Sequence, residues 1–209
     1  MQGLYPIIDL EVCERFALDP IDAARSVLVA RPPLLQLRAK MSAPREVLAI
    51  LRGLRPMTSA AGTLLFANDR PDLALMAGAD GVHLGQRDLP LEEVRRFAPE
   101  LRLGISTHNL EELELALDAR PFYVAFGPVF PTATKANPEP TVGLDALAVA
   151  ALAARAVGVP LVAIGGIRRA NVESLRDKAD VISVISDLMA PQPKQIEART
   201  LELARLIAR

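Results

Sequence analysis

The sequence predicts a single (β/α)8 barrel, with residues 1–209 forming one domain. Three observations predict it. Eight apolar runs of strand length alternate, without interruption, with eight stretches of helical period, the pattern of parallel strands joined by crossover helices. The runs are apolar nearly throughout, as strands covered on both faces are. The length of 209 residues lies near the lower bound for eight such units. An open doubly wound sheet is the competing arrangement, but it requires no particular number of units, so the count of eight favours closure.

The first run, LYPIID (4–9), leads to DPIDAARSVLVA (19–30), where Asp19 is placed to cap and Pro20 to open the first turn. LLQLR (34–38) precedes SAPREVLAILRGL (42–54), with Ser42 as its expected cap. TLLFAN (63–68) precedes RPDLALMAGA (70–79), GVHL (81–84) precedes PLEEVRRFAP (90–99), and LRLGIS (101–106) precedes NLEELELALDA (109–119). FYVAFG (122–127) opens onto a long connection that carries Pro128, Pro131, Pro138 and Pro140 before LDALAVAALAARA (144–156). PLVAIGG (160–166) precedes RANVESLRDK (169–178), and DVISVIS (180–186) precedes PKQIEARTLELARLIAR (193–209).

Bulk properties exclude several classes of function. Lysine and arginine number 24 against 25 acids, for a net charge of −1, so the clustered basic excess of a nucleic-acid binder is absent. No apolar run is long enough to span a bilayer. The N-terminus carries acids early and lacks a basic segment, so it does not read as a signal peptide. A single cysteine, Cys13, rules out an internal disulfide, and together these features lead us to expect a cytoplasmic location. Two histidines and one cysteine make a zinc site an unfavourable reading. Oxygen ligands on a magnesium-type ion are the metal chemistry the composition allows. The sequence leaves the oligomeric state open, a homo-oligomer included.

In such barrels the site lies at the C-terminal ends of the strands, so the polar residues just after each apolar run are the candidates. After the second run come Gln36, Arg38 and Lys40, spaced by two and therefore on one face. After the third come Asn68 and Asp69, and beyond the fourth comes Asp88. Consecutive strands are neighbours, so Asp69 and Asp88 can meet, and two carboxylates brought together call for a cation between them. A purely structural alternative has Asp69 capping the helix near Pro71. Ser106 ends the fifth run, while Asn109 reads as a helix cap. His83 and His108 are each ambiguous, a lone histidine being more often structural than catalytic. After the sixth run the proline-rich loop holds Thr132, Ala133, Thr134 and Lys135, two hydroxyls and a cation suited to phosphate oxygens. After the seventh and eighth come Gly165, Gly166, Ile185 and Ser186, where backbone N–H groups at a helix N-terminus commonly bind phosphate. Either glycine could equally serve only a tight turn. The rim thus divides into a basic, acid-paired side suited to a diphosphate and a glycine and hydroxyl side suited to a monophosphate.

The segments QLRAK, AND, ADGVHLGQRD, GIST, FGPVFPTATK, VGL, VAIGGI and VIS occur in an order and spacing that resemble the thiamine-phosphate synthase family, over about residues 4 to 190. The resemblance implies a transferase that joins a hydroxymethylpyrimidine diphosphate to a thiazole phosphate, releasing pyrophosphate. It implies that Gln36, Leu37, Arg38, Ala39 and Lys40, with Asn68, Ser106 and Lys135, contact the pyrimidine diphosphate. It implies that Asp69 and Asp88 hold magnesium, and that Thr132, Ala133, Thr134, Gly166, Ile185 and Ser186 bind the thiazole phosphate. Arg38, Lys40, Ser106 and Lys135 are the catalytic set it implies. The chain departs from the family pattern in KADVIS, where glycines are usual around the aspartate, and at Ala39, where an acid is frequent. The thiazole tautomerases have a similar pattern, but that resemblance implies a histidine at the position of Pro128 and no aspartate pair.

Overall fold

The computed structural model describes residues 1–132 and 139–208. Eight parallel strands close into a barrel in chain order: β1 (Gly3–Asp9), β2 (Leu34–Arg38), β3 (Leu64–Asn68), β4 (Gly81–Leu84), β5 (Arg102–Thr107), β6 (Tyr123–Phe126), β7 (Leu161–Ala163) and β8 (Val181–Val184). Strand β1 pairs with both β2 and β8, which is the closure. Around it lie α1 (Leu10–Arg15), α2 (Pro20–Leu28), α3 (Pro44–Ala61), α4 (Pro71–Ala77), α5 (Leu91–Phe97), α6 (Leu110–Asp118), α7 (Gly143–Ala156) and α8 (Pro193–Ile207).

The core has two parts, because every buried strand has two faces. Outward-facing strand residues such as Leu35, Leu37, Leu65, Val82 and Val124 pack with the helices in one continuous apolar layer. Inward-facing residues, including Tyr5, Leu34, Phe66, Tyr123, Val162 and Val181, fill the barrel itself. The inner layer accepts large aromatic rings because two strand positions carry no side chain. A Cβ on Gly104 would lie 2.2 Å from the Tyr123 ring, and one on Gly81 would lie 2.5 Å from the Phe66 ring. Asp80 and Asp180 perform matching tasks at the starts of β4 and β8. Each carboxylate accepts an N–H from the preceding strand, Leu65 and Leu161 respectively, at 2.8 Å. The residue after Asp180 is Val181, fully buried and paired with Gly3. Its missing glycine is therefore absorbed at the end of β8 opposite Ser186.

Four local expectations are corrected. Asp9 accepts from the Val12 N–H at 3.0 Å and caps α1, a six-residue helix between the first apolar run and DPIDAARSVLVA. Helix α3 starts at Pro44, and Ala43 rather than Ser42 stands at the cap position without a side-chain bond. It also continues through Pro56 to Ala61. Proline lacks the N–H for one helical bond, but the buried stripe Val47, Leu51, Leu54 and Thr58 runs past it and holds the helix on the barrel. The helix expected over 169–178 is reduced to a 3₁₀ turn, Val172–Leu175. Asn171 accounts for this: its side chain accepts from the Arg168 N–H at 2.7 Å and donates to the Gly166 carbonyl at 3.0 Å. Such side-chain bonds offer the backbone an alternative to helix. Finally, β7 ends at Ala163, because Gly165 and Gly166 turn left-handed at φ 95° and 65°.

Candidate active site

The tips of β2, β3 and β4 build one flank of the barrel mouth. Alternation along β2 sends Gln36 and Arg38 to the mouth side and Leu37 to the helix layer. The side chains of Leu37 and Ala39 pack in that layer, so only their backbone groups can meet a ligand. Arg38 donates to Asp9 at 2.5 Å, and Asp9 is almost wholly buried. A guanidinium fixed by a buried carboxylate keeps its remaining donors aimed in one direction. Gln36 donates its amide N–H to the Tyr5 hydroxyl at 2.8 Å. Lys40 pairs with Asp69. Asn68 ends β3 opposite His83 in register.

Asp69 does not cap α4: the cap position belongs to Arg70, which makes no side-chain cap bond. The Asp69 backbone is left-handed at φ 61°, and its N–H donates to the His83 carbonyl at 2.8 Å. That geometry turns its carboxylate toward Asp88, and the two acids interact directly. Asp88 is itself fixed by accepting the Gly85 N–H at 2.7 Å. Burial raises the Asp69 pKa above the ordinary carboxylate value, Lys40 pulls it down, and Asp88 pushes it up. Among the described residues no group of three or more histidine, cysteine or acidic side chains is gathered for a metal. Two carboxylate oxygen donors fit a hard divalent ion that takes its other ligands from water and a bound phosphate, as magnesium does.

The tips of β5 to β8 build the other flank around a cavity of about 270 Å³. Of the residues expected at the thiazole phosphate, Thr132, Gly166, Ile185 and Ser186 line it, and Ser106, expected at the pyrimidine diphosphate, lines it as well. Ala133, Thr134 and Lys135 lie outside the described residues. The loop base is anchored on β7: Val129 N–H donates to the Ile164 carbonyl at 2.9 Å and Phe130 N–H to the Gly165 carbonyl at 3.1 Å. Val142 returns to donate to Pro128 at 2.8 Å. This close approach is what the glycine pair permits. A Cβ on Gly165 would lie 2.4 Å from Pro128, and one on Gly166 would lie 2.5 Å from the Pro131 carbonyl oxygen. One expectation fails here. Among the described residues no α-helix starts directly after β7 or β8, since a 3₁₀ turn follows β7 and α8 begins only at Pro193.

Several site groups escaped the sequence reading. Asp9 ends the first apolar run, so the strand-tip rule could have found it. Arg15 of α1 and Arg168 also line the cavity, but nothing in their spacing marks them. Ser183 lies inside an apolar run and carries no sequence signal. Its hydroxyl is buried at the cavity, and among the described residues it has no hydrogen-bond partner. His108 is tied to Glu112 at 3.0 Å, and Asn109 caps α6 as expected. An unpaired buried hydroxyl costs about 1–3 kcal/mol. Ser183→Ala is therefore expected to raise the melting temperature of the ligand-free protein by about 2–12 °C, on the scaling for domains of this size. Differential scanning calorimetry of the two proteins checks this, and a lowered melting temperature would show that the hydroxyl is satisfied.

Residues 4–188 match the family model described as thiamine monophosphate synthase. The thiamine-phosphate synthase of Koribacter versatilis (strain Ellin345) is 42% identical over 208 residues, covering 96% of this chain and 94% of that protein. The chain belongs to the thiamine-phosphate synthase family. The Roseiflexus sp. (strain RS-1) synthase is 41% identical, over 98% of this chain and 85% of its own length. The solved thiamine phosphate pyrophosphorylase from Pyrococcus furiosus superposes with a TM-score of 0.86 at 32% identity, covering 99% of this chain and 96% of that one. The activity class is accordingly that of a thiamine-phosphate synthase, a transferase acting on small molecules. The isomerase alternative is not favoured. No helix among the described residues is long and apolar enough to cross a membrane.

Proposed function

We propose that the chain makes thiamine phosphate by a dissociative substitution in which the two flanks of the mouth hold the two substrates. The observation that carries this division is the convergence of Asp69 and Asp88 beside Lys40 on one flank, opposite a glycine-lined cavity on the other. The carbon–oxygen bond between the pyrimidinylmethyl group and the diphosphate breaks, and the electron pair leaves with pyrophosphate. The aminopyrimidine ring delocalises the resulting cation. The thiazole nitrogen then donates its lone pair to the carbon. No proton is lost from that nitrogen, so the site needs no general base.

The chain's own groups stabilise the leaving diphosphate and position the nucleophile. Arg38, held by Asp9, and Lys40 supply fixed positive charge at the diphosphate, and we assign Lys135 to the same task. Asp69 and Asp88 hold a magnesium ion, which when bound neutralises charge growing on the pyrophosphate oxygens. Gly166, Ile185, Ser186 and the threonines at 132 and 134 take the thiazole phosphate. Holding both substrates in contact supplies several further kcal/mol, and an enclosed mouth keeps water from trapping the cation. Pro128 offers no proton to a tautomerase reaction. A net charge of −1 and a single buried, free cysteine support a cytoplasmic enzyme without nucleic-acid partners. Incubating the protein with both substrates and Mg²⁺ is expected to give thiamine phosphate and pyrophosphate in equal amounts. Turnover of the thiazole compound alone, without pyrophosphate, would instead indicate the tautomerase.

A further inference from the structure

Five side chains inside the barrel form one continuous hydrogen-bonded chain from β2 to β5. Gln36 Nε2 donates to the Tyr5 hydroxyl at 2.8 Å. The Tyr5 and Tyr123 hydroxyls are 2.8 Å apart. The Tyr123 hydroxyl meets His83 Nδ1 at 2.8 Å, and His83 Nε2 meets the Ser106 hydroxyl at 2.8 Å. All five residues are buried. Gly104 leaves the space that Tyr123 fills, and the His83 and Tyr123 rings stack at 5.7 Å, 11° from parallel. Buried polar groups without full satisfaction are costly. The two ends of the chain are Gln36 and Ser106, both assigned above to the pyrimidine diphosphate.

With Gln36 donating, a single direction along this chain gives every proton in it an acceptor. An amide nitrogen only donates, so Tyr5 accepts from Gln36 and has its single proton left for Tyr123. Tyr123, having accepted, gives its own proton to His83 Nδ1. Burial raises both phenol pKa values above their ordinary range, so each hydroxyl keeps the proton this requires. A neutral imidazole accepting at Nδ1 carries its proton on Nε2 and donates it to Ser106. Ser106 has then accepted from the protein, and it lines the cavity, so its own proton is left to donate to a bound ligand.

We propose that this chain makes Tyr5, Tyr123 and His83 positioning residues, which hold the Ser106 hydroxyl as a donor to the substrate's departing diphosphate. The proposal rests on the synthase reading for the identity of that acceptor. It involves no proton transfer. The chain orders the direction of five existing bonds, so that the donor is in place before charge develops. It also leaves Gln36 with its carbonyl oxygen as an acceptor, suited to an N–H donor such as an exocyclic amino group.

Nitrogen-15 NMR of histidine-labelled wild-type protein tests the direction. His83 is expected as the Nε2–H tautomer, and an Nδ1–H tautomer or a ring protonated on both nitrogens overturns the proposal. A double-mutant cycle tests the coupling. Ser106→Ala is expected to lower kcat on the order of 10²-fold, as loss of one preorganised donor does. Tyr123→Phe is expected to lower kcat about tenfold with the KM values little changed, and to cost about twofold or less in the Ser106→Ala background. Additive losses would mean that Tyr123 acts through packing alone, and would overturn the proposal. Should Tyr123→Phe fail to fold, the wild-type spectrum still decides the direction. If the wild type forms no thiamine phosphate, the synthase reading fails, and the spectrum remains the test of the chain.

Discussion

Asp69→Asn is expected to lower turnover by on the order of 10²-fold or more while leaving the fold intact. The side chain faces Asp88 and Lys40 from a left-handed backbone at φ 61°. Asparagine is among the few residues that tolerate that conformation, and its amide oxygen still accepts from Lys40. The charge alone is lost, and with it half of the carboxylate pair proposed for magnesium. The stability effect has a definite sign. The folded protein raises the Asp69 pKa, chiefly through burial and then Asp88, so folding favours the protonated acid. That favourable contribution is complete below the ordinary carboxylate pKa and is lost as pH rises through the raised value. Asparagine resembles the protonated form throughout. The metal-free variant should therefore gain stability relative to wild type as pH rises across that window, with little relative change above it. Thermal melts in EDTA at a series of pH values check the trend, and a relative gain on acidification would contradict it. Near-normal turnover of the variant at saturating Mg²⁺ would remove Asp69 from the metal site.

Gly166→Ala carries the second large effect, through geometry rather than charge. At φ 65° an alanine costs about 1–2 kcal/mol in backbone strain. Its Cβ would also stand 2.5 Å from the Pro131 carbonyl oxygen and 2.6 Å from that of Phe130. Both are backbone atoms in the segment tied to β7, so relief requires moving the base of the loop. The expected result is a melting temperature lower by about 6–12 °C. The KM for thiazole phosphate should rise about tenfold or more, a loss of at least one decade in binding, while the KM for the pyrimidine diphosphate changes far less. Gly62→Ala is the control. Gly62 is also left-handed, at φ 71°, but a Cβ there meets nothing within 4 Å. It should lose stability from strain and keep its kinetics. Equal rises in both KM values for Gly166→Ala would contradict the assignment of that turn to one substrate.

The parts of this site that the sequence made legible are those governed by short-range rules. Period-two alternation was enough to send Gln36 and Arg38 to one face. Chain-order closure of the barrel was enough to bring the ends of β3 and β4 together, and with them Asp69 and Asp88. The parts that were not legible depend on contacts between distant positions. Tyr5 and Tyr123 bond across 118 residues, and each reads in sequence as an ordinary aromatic in an apolar strand. Arg38 reaches Asp9 across 29 residues. Helix α3 crosses Pro56 because tertiary packing outweighs local propensity. The stretch after β7 loses its helix to one side chain, Asn171. Gly104 and Gly165 read as turn or strand-breaking residues, yet they are required by the Tyr123 ring and the Pro128 backbone that press against them.

The central claim is that Asp69 and Asp88 would hold a divalent ion, which would neutralise charge on the leaving pyrophosphate. The most direct measurement is formation of thiamine phosphate from both substrates by the wild-type protein, before chelation, after thorough EDTA treatment, and after Mg²⁺ is restored. The account predicts product in the first state, none in the second, and full recovery in the third. Turnover that persists through complete chelation would contradict it.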